Sequence, residues 1–122
     1  MEFGSNQAIY IQIVDYVCEN ILNGTLKSGD KITAIRPMAV KLEVNPNTVT
    51  RTYGLLQEEG IIDNQRGIGY FTNANATELI KIKKKEEFIV HDVPLFLKTM
   101  EKLDLSIENI ISIFETMNNK KE

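Results

Sequence analysis

The polar residues that follow Asn45 have the side chains needed to recognise nucleic acid. They are Asn47, Thr48, Thr50 and Arg51. Amide, hydroxyl and guanidinium groups form hydrogen bonds with base edges in the major groove of DNA, and they also bind phosphate oxygens. The chemistry that this run indicates is therefore recognition by hydrogen bonding, and it requires an element that presents these side chains on an exposed face.

A helix is predicted to supply that face. Asn45 is a strong N-cap type, and Pro46 suits the first helical position because its missing N–H has no intrahelical partner there. Gly60 stands where a helix commonly ends in the left-handed conformation. Apolar residues between these limits recur at three- to four-residue spacing. They predict a buried face of Val49, Tyr53 and Leu56, with Leu55 as a further candidate.

A short hairpin is predicted directly after this helix. Ile61 and Ile62 begin a β-rich run, and residues 70–72 return as a second strand. Residues 64–67 between them have turn-forming side chains. Glycines at the tip let a backbone approach a phosphate or a narrow groove closely. A plain surface hairpin is the alternative, which the polar helix before it disfavours. The predicted tip residues are Arg66, Gly67 and Gly69.

Further segments complete a recognisable family pattern. They read IYIQI at 9–13, GTLKSGDKI at 24–32, Arg36, VNPNTVTRTY at 44–53, EGII at 59–62 and RGIGYF at 66–71. The chain in this respect resembles the GntR family of bacterial transcription regulators, in its short YtrA-like branch. The match covers residues 8–73, and residues 103–108 resemble the closing helix turn of that branch. The asparagine-proline-asparagine-threonine-valine run is its most specific part.

The resemblance implies a fold and a set of contacts. The expected fold is α+β and mainly helical. A composition shift at residues 73–76 marks the expected boundary between a winged helix-turn-helix over residues 1–75 and a helical dimerisation region of two helices over residues 76–122. Double-stranded DNA is the implied partner, with Arg36 at the backbone or a base edge. The predicted DNA-binding residues are Asn45 and, carried over from the family, Arg36, Asn47, Thr48, Thr50, Arg51, Arg66, Gly67 and Gly69.

The second helix departs from the family pattern. The family usually has proline-serine before this helix and glutamate after its arginine, whereas this chain has Ala34 and Pro37. Either Thr33 takes over the cap, or the chain makes one contact fewer than the family. We expect the helix over residues 37–42, where Pro37 is tolerated in the first turn. Residues 31–32 are a candidate short strand that pairs with the wing.

A first helix is expected over residues 7–23, capped by Ser5 or Asn6. Cys18 lies in its apolar stripe and is expected to be a small buried hydrophobe, with redox sensing as the alternative. Tyr10 has the same apolar spacing. Base stacking is the alternative role for Tyr10 and for Tyr53, but their apolar spacing predicts that both lie in the core.

The C-terminal segment is helical in pattern over residues 77–119 but cannot close a core alone. Asp92 is expected to cap a new helix with Pro94 in its first turn, and Ser106 to cap the last helix. Apolar residues recur along the last two of these helices and would form a large exposed stripe, which is abnormal for a monomer. The simplest partner for that stripe is the same segment of a second chain. The predicted dimerisation residues are Phe96, Met100, Leu103, Ile107, Ile110, Ile111, Phe114 and Met117.

Net charge is the main objection to a DNA-binding function, because the chain carries −3 overall. Its distribution weakens that objection, since residues 31–51 contain four basic residues and one acid. The acids elsewhere predict modest affinity that depends strongly on salt. We also expect a cytoplasmic protein without membrane association, because no apolar run approaches the roughly 20 residues of a membrane span and no signal pattern begins the chain.

An enzyme is disfavoured by the sequence. It has no glycine-rich phosphate loop and no zinc-ligand spacing, and its single histidine and single cysteine make a catalytic constellation hard to assemble. Neither a metal nor a cofactor is expected.

The favoured function is a homodimeric, sequence-specific regulator, a repressor that binds an inverted-repeat operator. The alternatives are a winged-helix module that binds protein, and the DNA-binding end of a longer relative fused to an aminotransferase-like domain. A small-molecule effector stays open, with the dimer cleft as the obvious place for it.

Overall fold

The N-terminal part of the chain forms helices and a small sheet. The computed structural model describes residues 3–4 and 7–120. The elements to residue 72 are α1 (Ile9–Leu22), β1 (Lys31–Ile32), α2 (Ile35–Leu42), α3 (Pro46–Glu58), β2 (Ile62–Gln65) and β3 (Gly69–Thr72). Helices α2 and α3 are joined by a tight turn in which Glu43 adopts the left-handed conformation with φ +57°. The arrangement is the expected helix-turn-helix followed by a hairpin.

The three strands form one antiparallel sheet in the order β1-β3-β2. Ile32 lies opposite Tyr70, which confirms that the short strand pairs with the hairpin. Gln65 lies opposite Gly69 at the other end of the hairpin, so residues 66–68 make the tip. The predicted wing is therefore confirmed, and a third strand supports it from the side, but Gly69, predicted at the tip, is the first residue of β3.

One hydrophobic core holds these helices and the sheet together. The predicted face of α3 is confirmed at Val49, Tyr53 and Leu56, which are fully buried, while Leu55 is partly buried. Cys18 is buried in α1, as expected. The other apolar members of the core are Ile13, Val14, Val17, Ile21, Ile32, Met38, Ala39, Leu42, Ile61, Ile62, Ala76 and Ile80.

The start of α1 differs from the prediction. The helix begins at Ile9 with Ala8 at the N-cap position and no side-chain cap. Gln7 therefore precedes the helix, where its carbonyl accepts a hydrogen bond from the Gln12 side chain at 2.8 Å. The expected caps, Ser5 and Asn6, lie outside the described residues.

The start of α2 differs as well, since it begins at Ile35 rather than Pro37. Ala34 occupies the N-cap position without a side-chain hydrogen bond, so Thr33 does not take over the cap. Pro37 falls in the first turn, where a missing N–H costs nothing. This turn holds Arg36 in helical conformation.

The C-terminal helices are α4 (Ala76–Glu87), a π-helical segment (Phe88–Asp92), α5 (Val93–Lys102) and α6 (Ile107–Asn119). A new α-helix begins at Val93 with Pro94 in its first turn, as predicted, but Asp92 is itself helical and its side chain makes no cap hydrogen bond, so only the predicted cap is wrong. A wide π turn accommodates Pro94, whose ring would clash with the carbonyl four residues earlier in a regular helix. Ser106 caps α6 as predicted, in a reciprocal box with Asn109.

Two compact units divide the chain after Ile82. Ala76 and Ile80 belong to the core of the first unit, in which Leu79 also approaches Gly60. The division therefore falls later than the boundary at residue 75, because the first turns of α4 contribute apolar side chains to the winged helix. Within the second unit, Met100 is buried.

Candidate nucleic-acid interface

The beginning of α3 is specified by its cap. The Asn45 side-chain oxygen accepts a hydrogen bond from the Asn47 backbone N–H at 2.8 Å, and Pro46 occupies the first turn. That oxygen is therefore committed to the helix. The amide nitrogen of Asn45 remains available as a donor. A donor alone suits a phosphate oxygen, whereas a base edge that needs both the amide oxygen and the amide nitrogen is served less well.

The polar face of α3 follows the cap. Asn47, Thr50 and Arg51 are exposed, whereas Thr48 is half-buried. The Thr50 hydroxyl donates to the Pro46 carbonyl at 3.1 Å. Because a hydroxyl has one hydrogen and two acceptor lone pairs, Thr50 keeps the capacity to accept a hydrogen bond from a base amino group.

Arg51 is held by an aromatic ring from another helix. Its guanidinium carbon lies 3.8 Å from the centroid of the Tyr10 ring in α1, which is a cation–π contact. Tyr10 is only half-buried and is not part of the core, so its predicted core position is wrong. Its spacing placed it on the correct helix but could not show that the ring supports a charged side chain. The residues that line the cleft of about 400 Å³ at this contact are Ala8, Ile9, Tyr10, Asn47, Thr48 and Arg51.

Thr52 ties the same two helices together. Its hydroxyl lies 3.0 Å from the Tyr10 carbonyl and 3.0 Å from the Thr48 carbonyl, and the residue is fully buried. The sequence pattern did not single out Thr52, although it lies three residues after Val49 and four before Leu56. This spacing indicates a buried position, but the polar side chain of Thr52 kept it out of a pattern built from apolar residues.

Arg36 lies in the first turn of α2 and is exposed. The segment before it is anchored from α3, because the Tyr53 hydroxyl donates to the Thr33 carbonyl at 2.6 Å. Burial raises the pKa of Tyr53, and the neighbouring Tyr70 and Tyr16 act in the same direction. The hydroxyl therefore stays protonated and keeps donating.

The wing tip presents Arg66 and Ile68 to solvent. Gly67 has φ +76°, which a residue with a side chain adopts only with strain, although a Cβ there would meet no other atom within 4 Å. Gly69 has a different role. A Cβ at Gly69 would lie 2.8 Å from Cε of Lys31, so the absence of a side chain leaves space for the lysine stem. Gly69 also has φ +143°, a conformation that residues with a side chain rarely adopt.

Lys31 is thereby identified as a cation beside the wing that the sequence-derived site omitted. It is exposed in β1, opposite Phe71 of β3. Its proximity to the wing depends on pairing between strands that are distant in the sequence. The exposed cations of this region are Lys31, Arg36, Lys41, Arg51 and Arg66.

The remaining chemistry of the described residues is limited. Within residues 3–4 and 7–120, no cluster of three or more histidine, cysteine or carboxylate side chains could hold a metal ion. None of the helices in that part of the chain is long and apolar enough to cross a membrane.

Helices α2 and α3 with the β2–β3 wing define a winged helix-turn-helix DNA-binding protein. The chain belongs to the gntR family of bacterial regulatory proteins, whose family model matches residues 9–71. It is accordingly a DNA-binding transcriptional regulator, and the resemblance to the short YtrA-like branch is confirmed.

Relatives share nearly the whole chain. An uncharacterised HTH-type transcriptional regulator of Bacillus subtilis, YhcF, is 34% identical over 94% of this chain and 93% of its own length. The HTH-type transcriptional repressor YtrA of the same organism is 36% identical over 87% of this chain and 86% of its own. A GntR family regulator from Listeria monocytogenes has a similar structure, with a TM-score of 0.77, 34% identity and coverage of 93% and 98% of the two chains.

Proposed function

We propose that the chain is a homodimeric repressor that binds an inverted-repeat operator. The observation that carries this proposal is the exposed polar face of α3, next to a wing with an exposed arginine. Asn47 and Arg51 contact base edges in the major groove, and Arg66 holds the backbone or the minor groove. Repression follows if the dimer occupies a promoter, and the relative named YtrA is a repressor.

Other residues of the interface have supporting roles. Thr48 and Thr50 lie along the same helix and contact bases or phosphates through their hydroxyl groups. Arg36 contacts the backbone from the start of α2. Gly67 and Gly69 keep the wing narrow enough to approach the duplex.

Dimerisation is assigned to the apolar stripe of α5 and α6. Met100 is buried within a single chain and Ile110 is partly buried, so the proposed interface rests on the other predicted residues. Residues 1–75 would then bind DNA and 76–122 would dimerise, although Ala76 and Ile80 also serve the first core. The exposed apolar residues of the stripe are Phe96, Leu103, Ile107, Ile111, Phe114 and Met117.

Two copies of the winged helix are also what the charge balance requires. A chain with a net charge of −3 has a small electrostatic contribution to affinity from each copy, and salt weakens it further. Joining two copies makes the second binding event intramolecular and raises the overall affinity without any new contact.

A protein-binding winged helix is the weaker candidate. Such a surface should offer large apolar or aromatic anchors. Within α3 (Pro46–Glu58) no large hydrophobic side chain is exposed, and the described wing tip adds only Ile68, so the surface lacks a cluster of such anchors.

Selection of bound sequences from a random duplex pool tests the proposal. The full chain should enrich an inverted repeat, because a two-fold dimer presents two identical helices. The Arg51→Ala variant, selected in parallel, should give a site with relaxed preference at one position of each half. Absence of enrichment over the starting pool would overturn sequence-specific readout. Enrichment of a single unrepeated site would overturn the proposal that the two winged helices of a dimer bind two half-sites.

A further inference from the structure

We propose that Tyr10 is a positioning residue for base readout, because its ring holds the guanidinium of Arg51 in place before DNA arrives. The proposal rests on the proposed function of Arg51 and adds a residue from α1 to the machinery of α3. Tyr10 need not touch DNA for this purpose. Its role is to fix where the donors of another side chain lie.

The geometry supports stacking. The guanidinium carbon lies 3.8 Å from the ring centroid, well inside the roughly 6 Å over which a cation is attracted to an aromatic face. Stacking uses the flat face of the guanidinium, whereas its N–H donors point outward in the plane of the group. Arg51 therefore remains able to form a bidentate contact with guanine, whose O6 and N7 match the spacing of two such donors.

The ring is itself held in place. The Thr52 hydroxyl lies 3.0 Å from the Tyr10 carbonyl and 3.0 Å from the Thr48 carbonyl one turn earlier in α3, so its single hydrogen is shared between the two acceptors. The next turn of α1 is anchored by Ile13 and Val14 in the core. The position of the ring relative to α3 is thus determined by buried contacts on both sides.

Positioning matters because arginine has many rotamers. A free arginine on a helix loses side-chain freedom when it binds a base, and that loss opposes binding. An arginine already stacked on a ring has lost part of this freedom on folding. The ring should therefore increase both the affinity and the base preference that Arg51 supplies, and it should do nothing for a chain without Arg51.

The first experiment examines the DNA-free protein. The Nε–Hε signal of Arg51, assigned by NMR in the full chain, should be shifted upfield by the ring current of Tyr10. Its order parameter should exceed that of Arg66 on the wing tip. Tyr10→Phe should preserve both features, and Tyr10→Leu should remove both. An Arg51 signal unchanged by Tyr10→Leu would overturn the proposal without any reference to DNA.

The second experiment measures affinity for the selected operator and for duplexes with a substitution at the position that Arg51→Ala relaxes. Tyr10→Leu should lower the preference for the correct base about 2- to 5-fold, the range expected of an exposed cation–π contact. Tyr10→Phe should retain the preference. In an Arg51→Ala background, Tyr10→Leu should cause no further loss, as two residues that act through one contact require.

The other outcomes are informative as well. An equal loss from Tyr10→Leu with and without Arg51 would show that Tyr10 contacts DNA or supports the fold independently, and it would overturn the proposal. A loss from Tyr10→Phe as large as that from Tyr10→Leu would do the same, because it would assign the effect to the hydroxyl. If Arg51→Ala itself leaves base preference unchanged, the readout assigned to Arg51 fails, whereas the NMR result still reports the stacking. Tyr10→Met replaces Tyr10→Leu if the leucine variant does not fold by circular dichroism.

Discussion

The hydroxyl of Tyr53 donates a hydrogen bond to the carbonyl of Thr33 at 2.6 Å. The donor is fully buried in α3, and the acceptor lies immediately before α2. The same ring makes an edge contact with Tyr70 of the wing strand, with centroids 4.9 Å apart and planes at 71°. One side chain therefore links α3, the segment that leads into α2 and the β3 strand of the wing.

Replacement of Tyr53 by phenylalanine should destabilise the fold by about 1 to 3 kcal/mol, because the Thr33 carbonyl then loses its partner within the structure. Urea unfolding measures the change. Tyr70→Phe is the matched control, since it also removes a tyrosine hydroxyl but preserves the ring contact. A loss in the control as large as in Tyr53→Phe would show that the bond to Thr33 has no special role.

The pH dependence of unfolding gives a second measurement on this pair. Burial raises the pKa of Tyr53 above its unfolded value of about 10. Above that pH the unfolded chain binds fewer protons than the folded one, so stability is fully present below about pH 10 and declines as pH rises further. Tyr53→Phe should show a smaller decline. An identical decline in stability for the unmodified chain and Tyr53→Phe would contradict the assignment of a raised pKa to Tyr53.

Arg66→Ala should weaken binding to all DNA sequences alike, because a wing arginine that holds the backbone or the minor groove contributes no readout at individual positions of the major groove. The slope of log affinity against log salt should fall by about one unit for each phosphate that the variant no longer neutralises. Lys102→Ala, which removes an exposed cation from the end of α5, should leave the slope unchanged. A change in base preference at one position would place Arg66 in direct readout instead.

Phe114→Glu should convert a dimer into a monomer at micromolar concentration, because it places a charge within the apolar stripe of α6. Ser112→Glu adds the same charge to the same helix outside that stripe and should leave the dimer intact. Analytical ultracentrifugation distinguishes the two states. If the unmodified chain sediments as a monomer across that concentration range, the dimer proposal fails.

Local signals were sufficient for much of the fold. The cap at Asn45 and the left-handed Gly60 defined α3, and the turn residues before Gly69 defined the wing, because each signal acts within a few residues of its own position. Ser106 was found in the same way. The π-helical turn before Pro94 was missed because the sequence shows that proline needs room but not how a helix provides it.

The missed parts of the site depend on contacts between distant segments. Tyr10 has the spacing of a core residue, and only the packing of α1 against α3 places its ring beneath Arg51. Lys31 lies beside the wing because β1 pairs with β3. The stem of its side chain occupies the space that Gly69 leaves open on β3. Neither relationship has a signature within one helix or one hairpin.

Inserting base pairs into the selected operator tests most directly whether two winged helices read DNA together. Half-site centres should lie about 10 base pairs, or a multiple of that, apart. Five base pairs inserted between the half-sites turn the second one to the opposite face of the duplex, whereas five inserted outside both leave their relation unchanged. The internal insertion should reduce affinity to that of an isolated half-site, and the external one should have no effect. Full affinity after the internal insertion would contradict joint recognition by a two-fold dimer.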